Sequence, residues 1–171
     1  NADEKVTSIL PIPKDLSKEK EKEKEKERES LMLVTKNGIA KKMSSDSFKD
    51  VRRSGIISIK LDKGDELISA LLTNKGDEVM LATAGGQSIR FKESDVREMG
   101  RTAGGVRGIK LSKNDEVIGV DVVKKDSDGK QASNGAGKKE SSFLTMSANG
   151  FGKKTLLKEY KVQKRGGSGI K

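Results

Sequence analysis

An all-β fold built from repeated four-stranded antiparallel units is what this sequence predicts, and three observations carry the prediction. Short apolar segments recur at a fixed spacing. Asn-Gly or Gly-Gly pairs sit between many of them. No stretch shows a sustained helical period of apolar residues. The clearest recurrence is Asp65-Glu66-Leu67-Ile68-Ser69-Ala70-Leu71-Leu72, which returns 50 residues later as Asp115-Glu116-Val117-Ile118-Gly119-Val120-Asp121-Val122. A fainter copy, Asp3 to Leu10, opens the chain.

Each unit resolves into strands A to D. Strand A is Leu31 to Thr35, Val79 to Thr83 and Phe143 to Ser147, and it leads into Asn37-Gly38, Gly85-Gly86 or Asn149-Gly150. Such pairs predict type I′ hairpins, in which both central residues take positive φ. Strand B follows as Ile39 to Met43, Ser88 to Phe91 and Phe151 to Thr155. A polar, basic connection leads to strand C, Gly55 to Leu61 and Gly105 to Leu111. Strand D is the Asp-Glu segment above. The chain reads D, A-B-C-D, A-B-C-D, A-B-C, about three units' worth, with Ile170 and Lys171 opening a further strand. Small sheets repeated in this way suit a propeller-like array. Three units do not close a propeller, so the expectation is a fragment of a longer domain. Its units are about 31–73, 77–123 and 141–171, with polar insertions at 18–29 and 124–140 on equivalent D-to-A loops.

Composition narrows the partner. Of 171 residues, 36 are Lys or Arg and 26 Asp or Glu, a net charge of +10, while aromatics are only 3%. With no His and no Cys, His-dependent triads, thiolate metal sites and disulfides are excluded. No apolar run is long enough for a membrane span, and the N-terminal residues do not read as a signal peptide. The expectation is a soluble cytoplasmic chain with a polyanionic partner and no membrane. The surplus is uneven: residues 1–30 carry 8 basic and 9 acidic groups, whereas residues 124–171 carry 12 and 4.

Cations recur at one place in the cycle. Strand B supplies Lys41 and Lys42, Arg90, and Lys153 and Lys154. The following connection holds Arg52 and Arg53, Arg97 and Arg101, then Lys161, Lys164 and Arg165, and strand C adds Arg107. If the units sit around an axis, equivalent loops form an arc along which a curved duplex could lay successive phosphates. The strongest local motif is Gln163-Lys164-Arg165-Gly166-Gly167-Ser168-Gly169, two cations followed by three glycines that allow close backbone approach to a phosphate. Asp65, Glu66, Asp115 and Glu116 repeat with the fold, which argues against a catalytic pair.

These residues resemble a known family. Arg90 to Ile109, Asn149-Gly150-Phe151-Gly152-Lys153-Lys154-Thr155 and Gln163 to Gly169 are similar to the C-terminal domain of DNA gyrase A, a DNA-wrapping domain of the type IIA topoisomerases. The resemblance implies a six-bladed β-pinwheel whose blades exchange strands and whose basic rim wraps double-stranded DNA. It implies partnership with the remainder of gyrase A and with gyrase B in a heterotetramer, and a bacterial, nucleoid-associated location. It implies no catalytic residue and no cofactor in this chain: ATP, Mg and the cleaving tyrosine belong to the rest of the holoenzyme, an ATP-hydrolysing enzyme that supercoils DNA negatively. Gln163 to Gly169 resembles the family's gyrase box, with Ser168 where a cation is usual and in a later blade than the principal box; residues 98–105 resemble a further degenerate copy. Tyr160 falls in the register of Val96 and Phe48, a packing or phosphate-contact position. The alternatives are the equivalent subunit of topoisomerase IV and a non-enzymatic propeller scaffold that binds acidic partners.

Overall fold

Three hairpins organise the chain, and their turns explain why. The computed structural model describes residues 5–11, 29–48, 51–125 and 141–171. In order, β1 is Ser30–Thr35, β2 Ile39–Ser44, β3 Leu67–Thr73, β4 Glu78–Thr83, β5 Ser88–Lys92, β6 Val106–Arg107, β7 Val117–Val123, β8 Ser142–Met146 and β9 Gly152–Leu156. Single 3-10 turns, Ser45–Phe48, Glu93–Asp95 and Leu157–Glu159, follow β2, β5 and β9. Most of the two polar insertions, and Asp3 and Glu4, lie outside the described residues.

The hairpins β1–β2, β4–β5 and β8–β9 are antiparallel, but their turns are not type I′. Only the last glycine of each, Gly38, Gly86 and Gly150, has positive φ, near +80°. Its N–H donates to the carbonyl of Thr35, Thr83 or Ser147 at 2.9–3.0 Å. The hydroxyl of that same residue accepts the next N–H, from Ile39, Gln87 or Phe151, at 3.1–3.2 Å. A type I turn followed by one left-handed glycine satisfies the twist with a single special residue, so Asn37, Gly85 and Asn149 stay at negative φ.

Strand D adds to strand A of its own unit: β3 pairs β1 and β7 pairs β4, each with a bulge at the second-last or last residue of A. Strand C does not stay at home. β6, from the second unit, pairs with β2 of the first, giving the sheet order β3-β1-β2-β6. The third unit repeats the exchange onto β5, through bridges Arg90↔Val162 and Ser88↔Ile170. The expected first-unit strand C, Gly55 to Leu61, is therefore not a strand, because its own unit offers it no partner; residues 5–10, the described part of the fainter D copy, are likewise not a strand.

Packing follows from the exchange. β1 is buried along its whole length and reads as a continuous apolar run because its two faces serve two cores. Met32, Val34 and Ala40 join Val79, Leu81, Ile89, Phe91, Val96, Ile109 and Val117 in a core shared by units one and two. Leu31, Leu33 and Met43 form a smaller one, against which Leu10, Phe48, Ile59 and Leu72 pack. Burial of each large side chain contributes about 1.5–3 kcal/mol.

Candidate nucleic-acid interface

The strand-B cations of the first two units point inward or across to the next unit. Lys41 is fully buried, and its Nζ donates to the carbonyls of Ser58 (2.6 Å), Arg101 (2.8 Å) and Ala103 (2.8 Å). Lys42 Nζ binds Glu93 Oε2 at 2.6 Å and reaches the Glu93 carbonyl at 3.5 Å. Arg90 grips Glu78 through Nε (2.7 Å) and a second nitrogen, while its third donates to the carbonyls of Leu157 (2.9 Å) and Tyr160 (3.0 Å). Lys42 and Arg90 are equivalent in register, opposite Met32 and Met80, and each holds the 3-10 turn of the following unit. Lys41, Lys42 and Arg90 thus act as latches between units, and the ammonium of Lys41 and the guanidinium of Arg90 are buried among protein acceptors.

The glycine-rich loop is held in a similar way. Gly166 N–H donates to the Gly108 carbonyl at 2.6 Å, the Gly167 carbonyl accepts Lys110 N–H at 2.8 Å, and Gln163 N–H donates to the Arg90 carbonyl at 2.7 Å. Gly169, at φ +75°, lies so close to β5 that an added Cβ would stand 2.8 Å from the carbonyl carbon of Ser88. Half-buried Arg165 donates to the carbonyls of Asp95 (2.7 Å) and Arg107 (3.2 Å). Gln163, Arg165, Gly166 and Gly169 therefore fix the loop to the second unit, and the glycines serve close docking. Lys164 remains exposed.

Exposed cations cluster on the connections themselves. Arg97, Arg101 and Arg107, and Lys161 and Lys164, all present exposed side chains, as do Arg52 and Arg53 in the first unit. The two later connections dock in one register: Lys42↔Glu98 matches Arg90↔Val162, and Ala40↔Val106 matches Ser88↔Ile170. Residues 98–105 and 162–169 thus occupy the same place on consecutive sheets. Lys153 and Lys154 are exposed as well, but they stand at the register positions of Ile89 and Arg90.

The recurrent carboxylates are structural. Asp65 Oδ1 accepts the N–H groups of Asn37 and Glu66, and Asp115 Oδ1 accepts those of Gly85 and Glu116, each at 2.8–2.9 Å. Each clamps an A–B turn to the start of strand D. The Thr83 hydroxyl, with those two N–H groups, holds the Asp115 carboxyl below the usual carboxylate range. Tyr160 packs edge-on against Phe143, with ring centroids 5.5 Å apart. Sequence reading missed Glu78 and Glu93, the buried partners of the latches; Glu78 stands opposite Lys92 rather than Arg90, and Glu93 lies in a 3-10 turn, so neither position marks its partner in the sequence.

This architecture matches a family model described as the DNA gyrase C-terminal domain, beta-propeller, over residues 29–74, 77–124 and 141–171. The chain belongs to the DNA gyrase C-terminal domain family. Among relatives of this family it is 39% identical over 169 residues to the A subunit of DNA gyrase from Staphylococcus epidermidis, and 39% to that from Klebsiella oxytoca. Each match takes in 99% of this chain but 17% of the relative, so the chain spans about a sixth of the length of these proteins. Two solved structures share the fold. The C-terminal domain of DNA topoisomerase IV matches with TM-score 0.71 and 27% identity, over 84% of this chain and 41% of that one. The DNA gyrase A C-terminal domain matches with TM-score 0.69 and 29% identity, over 84% and 43%.

The gyrase-family latch at Lys41 is open to a direct test. Burial pushes the Lys41 ammonium below its ordinary pKa. Just below 10.5 this group binds more protons in the unfolded chain than in the folded one, so its own contribution to stability rises with pH there. Lys41→Met abolishes that alkaline rise. It also strips the Ser58 and Arg101 carbonyls of this donor and leaves the Ala103 carbonyl to Lys60 N–H alone, at a cost of about 1–3 kcal/mol, read by urea melts at pH 7 and pH 10. Faster amide exchange in residues 98–105 accompanies the loss.

Proposed function

We propose that this chain binds double-stranded DNA along the exposed cations of its successive B-to-C connections, as the DNA-wrapping part of a gyrase A protein. The observation that carries the reading is the repetition of 98–105 and 162–169 in one register on consecutive sheets, with Arg97, Arg101, Arg107, Lys161 and Lys164 exposed beside them. Cations repeated on neighbouring sheet edges meet phosphates rather than base edges, which favours bending over sequence reading. Arg52 and Arg53 continue the series. Gly167 stays in the set as a backbone approach point beside Lys164.

In this proposal units 31–73, 77–123 and 141–171 belong to one C-terminal pinwheel. It works in the bacterial cytoplasm with the rest of gyrase A and with gyrase B, supporting ATP-dependent negative supercoiling. ATP, Mg and strand cleavage reside in those other parts. The test is duplex binding across a salt series. Arg101→Ala and Lys164→Ala each reduce the slope of log affinity against log salt by about one and weaken all sequences alike. Lys42→Ala, which removes a latch, leaves the slope unchanged. A slope unmoved by the first two variants overturns the reading.

A further inference from the structure

Three units meet at Arg107. The residue belongs to β6 of the second unit, stands opposite Ile39 of the first, and gives its carbonyl to Arg165 of the third. The Arg165 guanidinium spans a second carbonyl as well. Its Nε donates to Asp95 at 2.7 Å while Nη1 donates to Arg107 at 3.2 Å. Asp95 and Arg107 are the two ends of the connection that carries the exposed side chains of Arg97, Arg101 and Arg107. One half-buried side chain from the next unit thus ties both ends of that connection together. Gly166 N–H reinforces the tie by donating to the Gly108 carbonyl at 2.6 Å.

The junction between the first two units is stitched by a different residue. There, buried Lys41 takes the carbonyls of Ser58, Arg101 and Ala103. Its register-mate in the second unit is Ile89, which stands opposite Leu81 as Lys41 stands opposite Leu33. An isoleucine has no side-chain donor to offer, and Arg165 supplies one from the third unit instead. In the matched register of the two connections Arg101 stands where Arg165 stands, yet its side chain is exposed while Lys41 holds its carbonyl. Each junction therefore commits one cation to backbone carbonyls, and it is not the same cation in the two.

We propose that Arg165 is a positioning residue for duplex binding: it holds Arg97 and Arg107 at a fixed spacing for phosphates. This rests on the DNA reading above and adds to it a residue that acts through the backbone of its neighbours. A guanidinium suits the task, because its planar fork fills two acceptors at once and it stays charged at any working pH. Cations on a loop already held in place lose less freedom on binding than cations on a slack one. Without the tie, the connection keeps its charges and loses their placement.

Duplex binding by the 171-residue chain across a salt series tests the proposal. Arg165→Lys keeps the charge, but a single ammonium does not span both carbonyls as the fork does. The variant keeps the circular dichroism of the wild type, loses about tenfold in affinity at about 0.1 M salt and flattens the salt slope by about one phosphate. In an Arg97→Ala/Arg107→Ala background the same substitution changes neither quantity, because the residues it acts through are gone. A second readout uses the wild type and stands even if Arg165→Lys unfolds. On adding duplex, the Nε–H resonances of Arg97 and Arg107 shift in the NMR spectrum, while that of Arg165, still on the Asp95 carbonyl, stays in place. Wild-type affinity and slope in Arg165→Lys overturn the proposal, since charge alone then suffices or the residue only supports the fold. A loss that persists in the Arg97→Ala/Arg107→Ala background also overturns it, as does an Arg165 resonance that shifts as far as the other two. A flat salt slope in the wild type overturns the DNA reading itself, and this role with it.

Discussion

Arg90→Ala destabilises the domain by about 3–5 kcal/mol, the cost of leaving a buried charge without its partner. Arg90 is 6% exposed and Glu78 4%, so neither can turn to water. The substitution leaves Glu78 with Lys125, whose Nζ lies 3.0 Å from Oε1, and strips the Leu157 and Tyr160 carbonyls of a shared donor. Two effects appear together: a lower urea midpoint, and faster amide exchange across residues 157–170, whose docking the guanidinium secures. Arg90→Met combined with Glu78→Gln recovers part of the loss, because removing both charges removes the desolvation penalty as well. Arg90→Lys does not recover it, since one ammonium cannot span a carboxylate and two carbonyls in the guanidinium's fork. If Arg90→Ala leaves the urea midpoint of the whole chain in place, the latch contributes nothing.

Gly105→Ala is nearly as damaging, and Gly55→Ala is the comparison that explains why. Both glycines open the strand-C sequence of their units, at φ +99° and +73°, but only Gly105 leads into a paired strand. An alanine at either position bears the strain of a left-handed residue, about 1–2 kcal/mol. At Gly55 nothing lies within 4 Å of the new methyl. At Gly105 the methyl meets Ile39 Cγ2 at 2.7 Å and the Ala40 carbonyl oxygen at 2.8 Å. Backbone cannot yield there without parting β6 from β2, which adds roughly 1–3 kcal/mol of overpacking. Thermal melts of the two variants measure the difference. Equal losses would mean that the exchanged strand is loosely held.

The hairpins and strand D were legible because their information is local. Asn37-Gly38 and Gly85-Gly86 mark turns, and Asp65 and Asp115 mark the segments they clamp. The turn type was misread because a Thr or Ser hydroxyl, rather than a second left-handed residue, completes each turn. Strand C was legible as a segment but not as a pairing. Val106 faces Ala40, a partner whose identity depends on a neighbouring unit and leaves no mark on the adjacent residues. The cations divide on the same ground. Exposure of Arg97 and Arg101 follows from their place in a loop. Burial of Lys41 follows from a loop docking over it from far along the chain, and a lysine written beside Lys42 gives no hint of that.

The exchange of β6 onto β2 also sets the order in which the molecule can assemble. The β1–β2 hairpin can close as soon as its own residues leave the ribosome. Its sheet stays unfinished until Val106 and Arg107 emerge, after the whole of β4 and β5. The outer strand of each of the first two units is on loan from a later stretch of chain, so long-range pairing arrives late and sets the pace. Once in place, no unit can melt without releasing a strand of its neighbour. The array therefore comes apart as a whole rather than link by link.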